Sequence, residues 1–373
     1  MWKRLDPIMV LLITGLMGLG LCVISSTTCL DRDPEVDGGF FTHYAKIQLF
    51  WFVLGWVVYM GFALLDYRVF KRWAWWLYAF VLLSLIGLFF VPPIHHCHRW
   101  YEIPGLGIFL QPSELAKLSV IVILGVFLEA HSQEIEERSV AAKALGMALP
   151  PFILILKQPD LGTALVFYPI VLVLFYLAGI RKSVVRTMMC LKGVGLVVVS
   201  LFFLQILPHK ELKPFMTQFL KEYQYERLNP DTYHQHAAQT AIAFGGWSGM
   251  GWRQSEFTRN KWLPAAHTDS VFAAYSEEFG IIGVFLLLLF FFALIYRTFQ
   301  VALHAKDPFG RLLAAGIATN LAMHMLVSMG MMCGFLPITG VPLLLISYGG
   351  SSVLSTMMSL GILQSIHSRR FVF

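Results

Sequence analysis

Apolar runs of membrane-spanning length recur along the chain at 8–26, 46–64, 74–92, 113–131, 141–157, 161–180, 184–207, 269–296, 309–333 and 341–365. A bilayer core takes about 20 such residues as a helix. Ten runs therefore predict ten transmembrane helices. The runs are continuous and do not alternate apolar with polar, which argues against a closed β-barrel. Only the turn Lys157–Asp160 separates the fifth run from the sixth. The one sizeable stretch outside the runs is 208–267, rich in aromatic residues and glycine (AAQTAIAFGGWSGMGW), and an ordered cap is expected there. The first run follows Lys3 and Arg4 and precedes small residues, as in a signal peptide. Its length and the topology suit a retained span. The expected fold is thus an all-α polytopic membrane protein, one membrane domain over 1–373 with a large extracytoplasmic loop at 208–267.

Charge orients this array. With a cytoplasmic N-terminus, the inside segments hold fifteen basic residues: Lys3, Arg4, Arg68, Lys71, Arg72, Arg138, Lys143, Arg181, Lys182, Arg186, Arg297, Lys306, Arg311, Arg369 and Arg370. The short outside loops hold four, Arg32, Lys46, Arg99 and Lys157. Lys and Arg collect on the cytoplasmic side, so both termini are expected inside. Composition agrees: 57% of residues are hydrophobic, 13% are charged, and the mean hydropathy is +0.67. A soluble domain is excluded. The net charge of +6 forms no basic stripe, which gives no reason to expect nucleic acid. The five cysteines, Cys22, Cys29, Cys97, Cys190 and Cys333, lack metal-ligand spacing. Cys29 and Cys97 fall on the same predicted side and could pair where that side is oxidising.

Polar residues placed where lipid should be carry the functional signal. In QPSELAK, Glu114 and Lys117 share a helix face and can pair, as a structural ion pair or as part of a site. In KQPDLGTAL, Asp160 suits a helix cap, and Lys157 adds a second charge at the same outer mouth. In HTDSVFAAYSEEFGIIG, Asp269 either caps the eighth helix or serves chemistry. Glu277 and Glu278 lie about 12 Å further along that helix, and Glu278, roughly on the opposite face from Asp269, suits inter-helix structure or cation passage. Gly349–Gly350–Ser351–Ser352 would weaken a helix; its N–H groups and hydroxyls could hold an anion, or its small side chains could allow close helix packing. His324 stands alone in the ninth run and suits a hydrogen bond to a neighbouring helix. His95, His96 and His98 alternate on an outer loop without a fourth ligand, which favours solvated side chains over metal. The charges thus gather in the outer half of the membrane, which fits a lipid-borne, phosphorylated, polar substrate.

Four segments together resemble the SEDS family (shape, elongation, division and sporulation). They are Arg99–Trp100 with QPSELAK, KQPDLGTAL, LPAAHTDSVFAAYSEEFGIIG and LPITGVPLLLISYGGSS. They stand in the family's order, and the resemblance covers essentially the whole chain. It is strongest to the RodA branch, through KQPDLGTAL, AIAFGGWSGMGW and the lack of an N-terminal extension. This chain departs from the family at Ser270, where Phe is usual after the HTD aspartate, and at Leu344, where PLP becomes PLL. It also has His324 where an Asn is common and a shorter NPDTYHQHAAQ segment.

The resemblance implies a peptidoglycan glycosyltransferase that polymerises lipid II at the outer face of the bacterial cytoplasmic membrane, for elongation and cell shape. The 4-hydroxyl of an acceptor GlcNAc attacks C1 of a lipid-linked MurNAc with inversion, and undecaprenyl pyrophosphate leaves. Asp269, flanked by His267 and Thr268, matches the essential aspartate, as general base or as ligand to a cation. Arg99 and Lys117, with Lys157 and Arg227 behind them, are the expected partners of the pyrophosphate; Glu114 would orient Lys117. Asp160, Thr163, Ser351 and Ser352 would position a sugar or a cation. A divalent cation, Mg²⁺ or Mn²⁺, is the one cofactor to expect, with no readable ligand set. The implied partners are a class B penicillin-binding protein and the cytoskeletal cell-shape complex. Two rivals remain. A lipid II flippase would line a path through both leaflets, and a non-catalytic scaffold would tolerate Asp269→Asn.

Overall fold

The structure, a computed structural model, describes residues 5–29, 39–92, 98–103, 108–203, 206–207, 209–217, 225–226 and 228–370. It is nearly all helical. The long helices are α1 (Pro7–Thr28), α2 (His43–Leu64), α3 (Val69–Gly87), α4 (Pro112–Ala130), α5 (Arg138–Lys157), α6 (Leu161–Ala178) and α7 (Lys182–Phe203). Short helices follow, among them α8 (His209–Met216), α9 (Tyr233–Gly245) and α10 (Glu256–Arg259). Then come α11 (Val271–Leu303), α12 (Pro308–Met332) and α13 (Gly350–Arg369). A small antiparallel hairpin, β1 (Tyr101–Ile103) with β2 (Ile108–Leu110), precedes α4.

Local chemistry sets the helix starts. Asp6 accepts from the Ile8 and Met9 amides ahead of Pro7. Thr42 accepts from Ala45, and Asp307 accepts from Gly310 beside Pro308. Each oxygen satisfies an amide that lacks an intrahelical partner, and Pro needs none. The first run is a packed helix whose buried face meets α2 and α11.

Among the described residues, eight helices are long and apolar enough to cross a membrane: α1, α2, α3 with its 3₁₀ extension to Phe90, α5, α6, α7, α11 and α12. The fourth and tenth runs also form helices, α4 and α13, but of more polar composition. Both are enclosed by protein along most of their length, so their charged and hydroxyl groups meet other helices in place of lipid. The tenth run is helical only from Gly350; residues 341–349 form an irregular turn.

The helix ends separate chemically. At one end Arg297 binds Asp6 at 2.6 Å, Lys71 binds Glu129 at 2.7 Å, and Arg369 donates to the Leu64 carbonyl. The Lys and Arg bias places this end in the cytoplasm. The motif residues gather at the other.

The loop before α11 is inserted into that helix. At Gly280 α11 leaves helical geometry (φ 62°, ψ −166°). The carbonyls of Glu277 and Glu278 take amides from Met250 and Gly251 instead, at 2.9 and 3.0 Å. The amides of Ile281 and Ile282 donate to Gly246 and Trp247. Four backbone groups freed at the break thus find partners in the loop, as an interrupted helix at membrane depth requires. Glu277 reinforces the insertion by accepting from the Phe257 amide at 2.9 Å, and Glu278 accepts from Ser26 of α1, an inter-helix bond.

Gly249 makes this contact possible. Its φ is +79°, and an added Cβ would strike the Glu278 carbonyl. Gly249→Ala is expected to lose about 1–3 kcal/mol of stability, read by thermal unfolding, with faster hydrogen exchange at Met250 and Gly251. Gly146→Ala, where an added Cβ meets nothing within 4 Å, is the control.

Candidate active site

Asp269 lies half-buried on the turn that leads into α11. That turn closes on itself: the amides of Thr268 and Ser270 both donate to the Ala265 carbonyl at 3.1 Å. The stretch 341–349 holds it from one side. Ser347 Oγ donates to the Thr268 carbonyl at 2.7 Å, and the Tyr348 amide donates to the His267 carbonyl at 2.9 Å. Gln48 of α2 secures that stretch in turn, accepting from the Gly349 amide at 3.2 Å. Rings from three elements close the mouth. Tyr44 lies 5.1 Å from His267, and Tyr348 stands edge-on to Tyr44 at 5.4 Å. An added Cβ on Gly340 would come within 3.3 Å of Asp269 Oδ2, so the carboxylate lies against the LPITG segment. The same segment touches α6, where an added Cβ on Gly162 would meet Thr339. HTD, LPITG–SYGGSS and KQPDLGTAL thus share one end of the molecule.

Asp160 is the hub on the α6 side. Its Oδ1 accepts from the Thr163 amide at 3.2 Å, capping α6. Its Oδ2 accepts from Thr163 Oγ1 at 2.8 Å and from Ser113 Oγ and Gln111 Nε2 at 3.1 Å each. Gln111 also donates its amide to Ser351 Oγ, which donates to the Phe109 carbonyl. One network therefore joins the starts of α4, α6 and α13. Asp160 and Thr163 are buried within it, and Ser351 and Ser352 are half-exposed.

The QPSELAK pair is enclosed. Lys117 is 0% exposed and donates to Glu114 Oε1 at 2.7 Å; the Glu114 side chain is 7% exposed. Ser355 of α13 donates to Glu114 Oε2 at 3.0 Å, and His324 of α12 contacts the Lys117 ammonium. The expected inter-helix bond of His324 is therefore to Lys117. An ammonium with no exposed surface does not reach a substrate in this conformation. It joins α4 to α12, and through Glu114 to α13.

Arg99 is engaged as well. Its guanidinium donates to the carbonyls of Gln158, at 3.3 Å, and of Pro159, at the end of α5, and the residue is 8% exposed. It satisfies carbonyls that have no helical partner there. Arg99→Ala is expected to lose about 1.5–3 kcal/mol, seen as a lower unfolding midpoint for the purified protein. Lys157, by contrast, is exposed at the same corner. Arg227, His95, His96 and Cys97 lie outside the described residues, so the expectations for them are not addressed by the structure. Among the described residues no group of three or more His, Cys, Asp or Glu could hold a metal ion. Asp160 Oδ2 already accepts from three donors.

Several participants escaped the sequence reading. Gln48, Tyr44 and Ser355 are ordinary polar or aromatic residues whose partners lie far away in the chain. The one available signal was position: Ser355 stands three residues past SYGGSS.

With this geometry in hand, three comparisons carry weight. The family model for FtsW, RodA and SpoVE, described as cell cycle protein, matches residues 7–371. The peptidoglycan glycosyltransferase MrdB of Escherichia coli (strain K12) is 30% identical over 384 residues, covering 99% of this chain and 95% of that protein. The crystal structure of the rod shape determining protein RodA of Thermus thermophilus superposes with a TM-score of 0.72 at 27% identity, covering 100% of this chain and 99% of that one. A chain from a structure on the coordination of polymerization and crosslinking by a peptidoglycan synthase complex gives a TM-score of 0.74 at 27% identity, over 99% of both chains. The four motifs, the helical array that brings them to one end and the match along nearly the whole chain agree: this protein is a member of the FtsW/RodA/SpoVE family.

Proposed function

We propose that this chain is a peptidoglycan glycosyltransferase of the bacterial cytoplasmic membrane, of the RodA branch, that polymerises lipid II at the outer face. The observation that carries the reading is Asp269, a half-buried carboxylate on a fixed turn at the outer end, within a family whose relatives bear that activity in their names. In the reaction, the 4-hydroxyl oxygen of an acceptor GlcNAc bonds to C1 of a lipid-linked MurNAc. The bond from C1 to undecaprenyl pyrophosphate breaks with inversion, and the hydroxyl proton passes to Asp269.

The leaving pyrophosphate needs positive charge. Lys157 is exposed to meet it, and Lys117 acts from behind the wall of the site. A Mg²⁺ or Mn²⁺ ion would be held by Asp269 and the substrate phosphates, neutralising developing charge. His267, Thr268, Ser351 and Ser352 border the sugar, while Glu114, Asp160, Thr163 and Arg99 hold the helices that form the mouth. The partner is a class B penicillin-binding protein, supported by the likeness to a chain of a complex in which polymerisation and crosslinking are coordinated. The cytoskeletal cell-shape complex is assigned on the RodA resemblance alone.

The test supplies lipid II and a divalent cation to the purified protein with its transpeptidase, and resolves products on a gel. Glycan strands support the polymerase. Accelerated movement of lipid II between leaflets, without strands, would turn the assignment to a flippase.

A further inference from the structure

Asp269 stands between two anchored neighbours. On the Thr268 side the anchor is Ser347, from the stretch before α13. On the Ser270 side it comes from the extracytoplasmic loop. His234, in the first turn of α9, has its Nε2 2.6 Å from Ser270 Oγ. Ser270 is 0% exposed. It occupies the N-cap of α11, yet its side chain caps no amide of its own helix. A buried hydroxyl without a partner would be costly, and His234 is the partner found for this one.

The helix bearing His234 is itself fixed. Gln235 Nε2 donates to the Met331 carbonyl of α12 at 2.8 Å, and Gly245, at the other end of α9, lies against the Ser276 backbone of α11. Alpha-9 thus spans the outer segment of α11 from its N-cap to the Gly280 break. Its first turn reaches over to hold the residue beside Asp269.

We infer that His234 is a positioning residue for Asp269, acting through Ser270. This rests on the assignment of Asp269 as the base. The carboxylate must meet a sugar hydroxyl at hydrogen-bond distance, and a displacement of about 1 Å can cost on the order of 10²-fold in rate. Ser347 fixes the turn from one side only. Backbone bonds from the Ser270 amide to Ala265 and from the Ala274 amide to the Ser270 carbonyl hold the main chain there; His234 adds the side-chain tie, and its loss loosens the start of α11 beside Asp269. The extracytoplasmic loop thereby supplies half of the frame of the catalytic turn.

The prediction is a divided kinetic effect. His234→Ala lowers kcat for strand formation by about 10- to 100-fold and leaves KM within about twofold, since no substrate contact is removed. His234→Gln, whose amide has similar reach and can replace the hydrogen bond, recovers most of the rate. Ser270→Ala reproduces the loss, and His234→Ala/Ser270→Ala is no worse than either single change, as expected for one shared interaction. Hydrogen exchange in residues 270–274 rises in His234→Ala and returns in His234→Gln. That arm needs no activity and stands whether or not the glycosyltransferase assignment holds.

Unchanged exchange in residues 270–274 would overturn the inference. So would a wild-type kcat for His234→Ala in a preparation where Asp269→Asn makes no strands, or additive losses in the double variant. The absence of strands from wild type, with the exchange response intact, would instead overturn the assignment of function and leave the mechanical link standing.

Discussion

Lys117→Met should lose about 3–5 kcal/mol of stability, because it leaves a buried carboxylate without its counter-charge. Glu114 would keep Ser355 at Oε2 and His324 at 4.0 Å, but neither is an ammonium in contact. The cost falls on the junction of α4, α12 and α13, so the expected phenotype is a lower unfolding midpoint in detergent and poor recovery from membranes. Glu114→Gln/Lys117→Met should regain much of the loss, since removing both charges also removes the desolvation penalty. Thermal unfolding of wild type, single and double variants measures this directly. A single variant as stable as wild type would mean that the pair is solvated and open, and would return Lys117 to direct phosphate contact.

Asp269→Asn should cut the rate of strand formation by about 10²–10⁴-fold, the usual contribution of a general base. The amide has the same shape and cannot take the hydroxyl proton. The turn itself should survive, because backbone bonds, Ser347 and Ser270 hold it and none of these change. The unfolding midpoint should therefore stay near that of wild type. Rates with saturating lipid II, measured beside the melt, separate lost chemistry from lost folding. Strand formation within a few-fold of wild type would remove Asp269 from the proton transfer.

Hydropathy alone placed most of the fold. The fourth apolar run, 113–131, differs from α4 by one residue at each end. The tenth run misled, since 341–349 is as apolar as a helix yet turns to reach His267 and Thr268. The Gly280 break was equally invisible, because the run through it is continuous and the repair comes from Gly246, Trp247, Met250 and Gly251 in the loop. In the site, the motif residues were legible as charges where lipid should be. Their partners were not: Lys117 meets His324 across 207 positions and Ser270 meets His234 across 36, and a single sequence carries no signal for such pairs. Whether a motif charge is open or enclosed was also beyond reach. Arg99 and Lys117, the latter with Glu114 beside it, both read as partners of the pyrophosphate, and both are enclosed by the protein.

The measurement that bears most directly on the central claim counts undecaprenyl pyrophosphate released against lipid II consumed by the wild-type protein with its transpeptidase. Glycosyl transfer predicts close to one pyrophosphate lipid released for each new glycosidic bond, with polymeric glycan as the other product. Lipid II that crosses between leaflets with its pyrophosphate linkage intact and forms no glycan would contradict it.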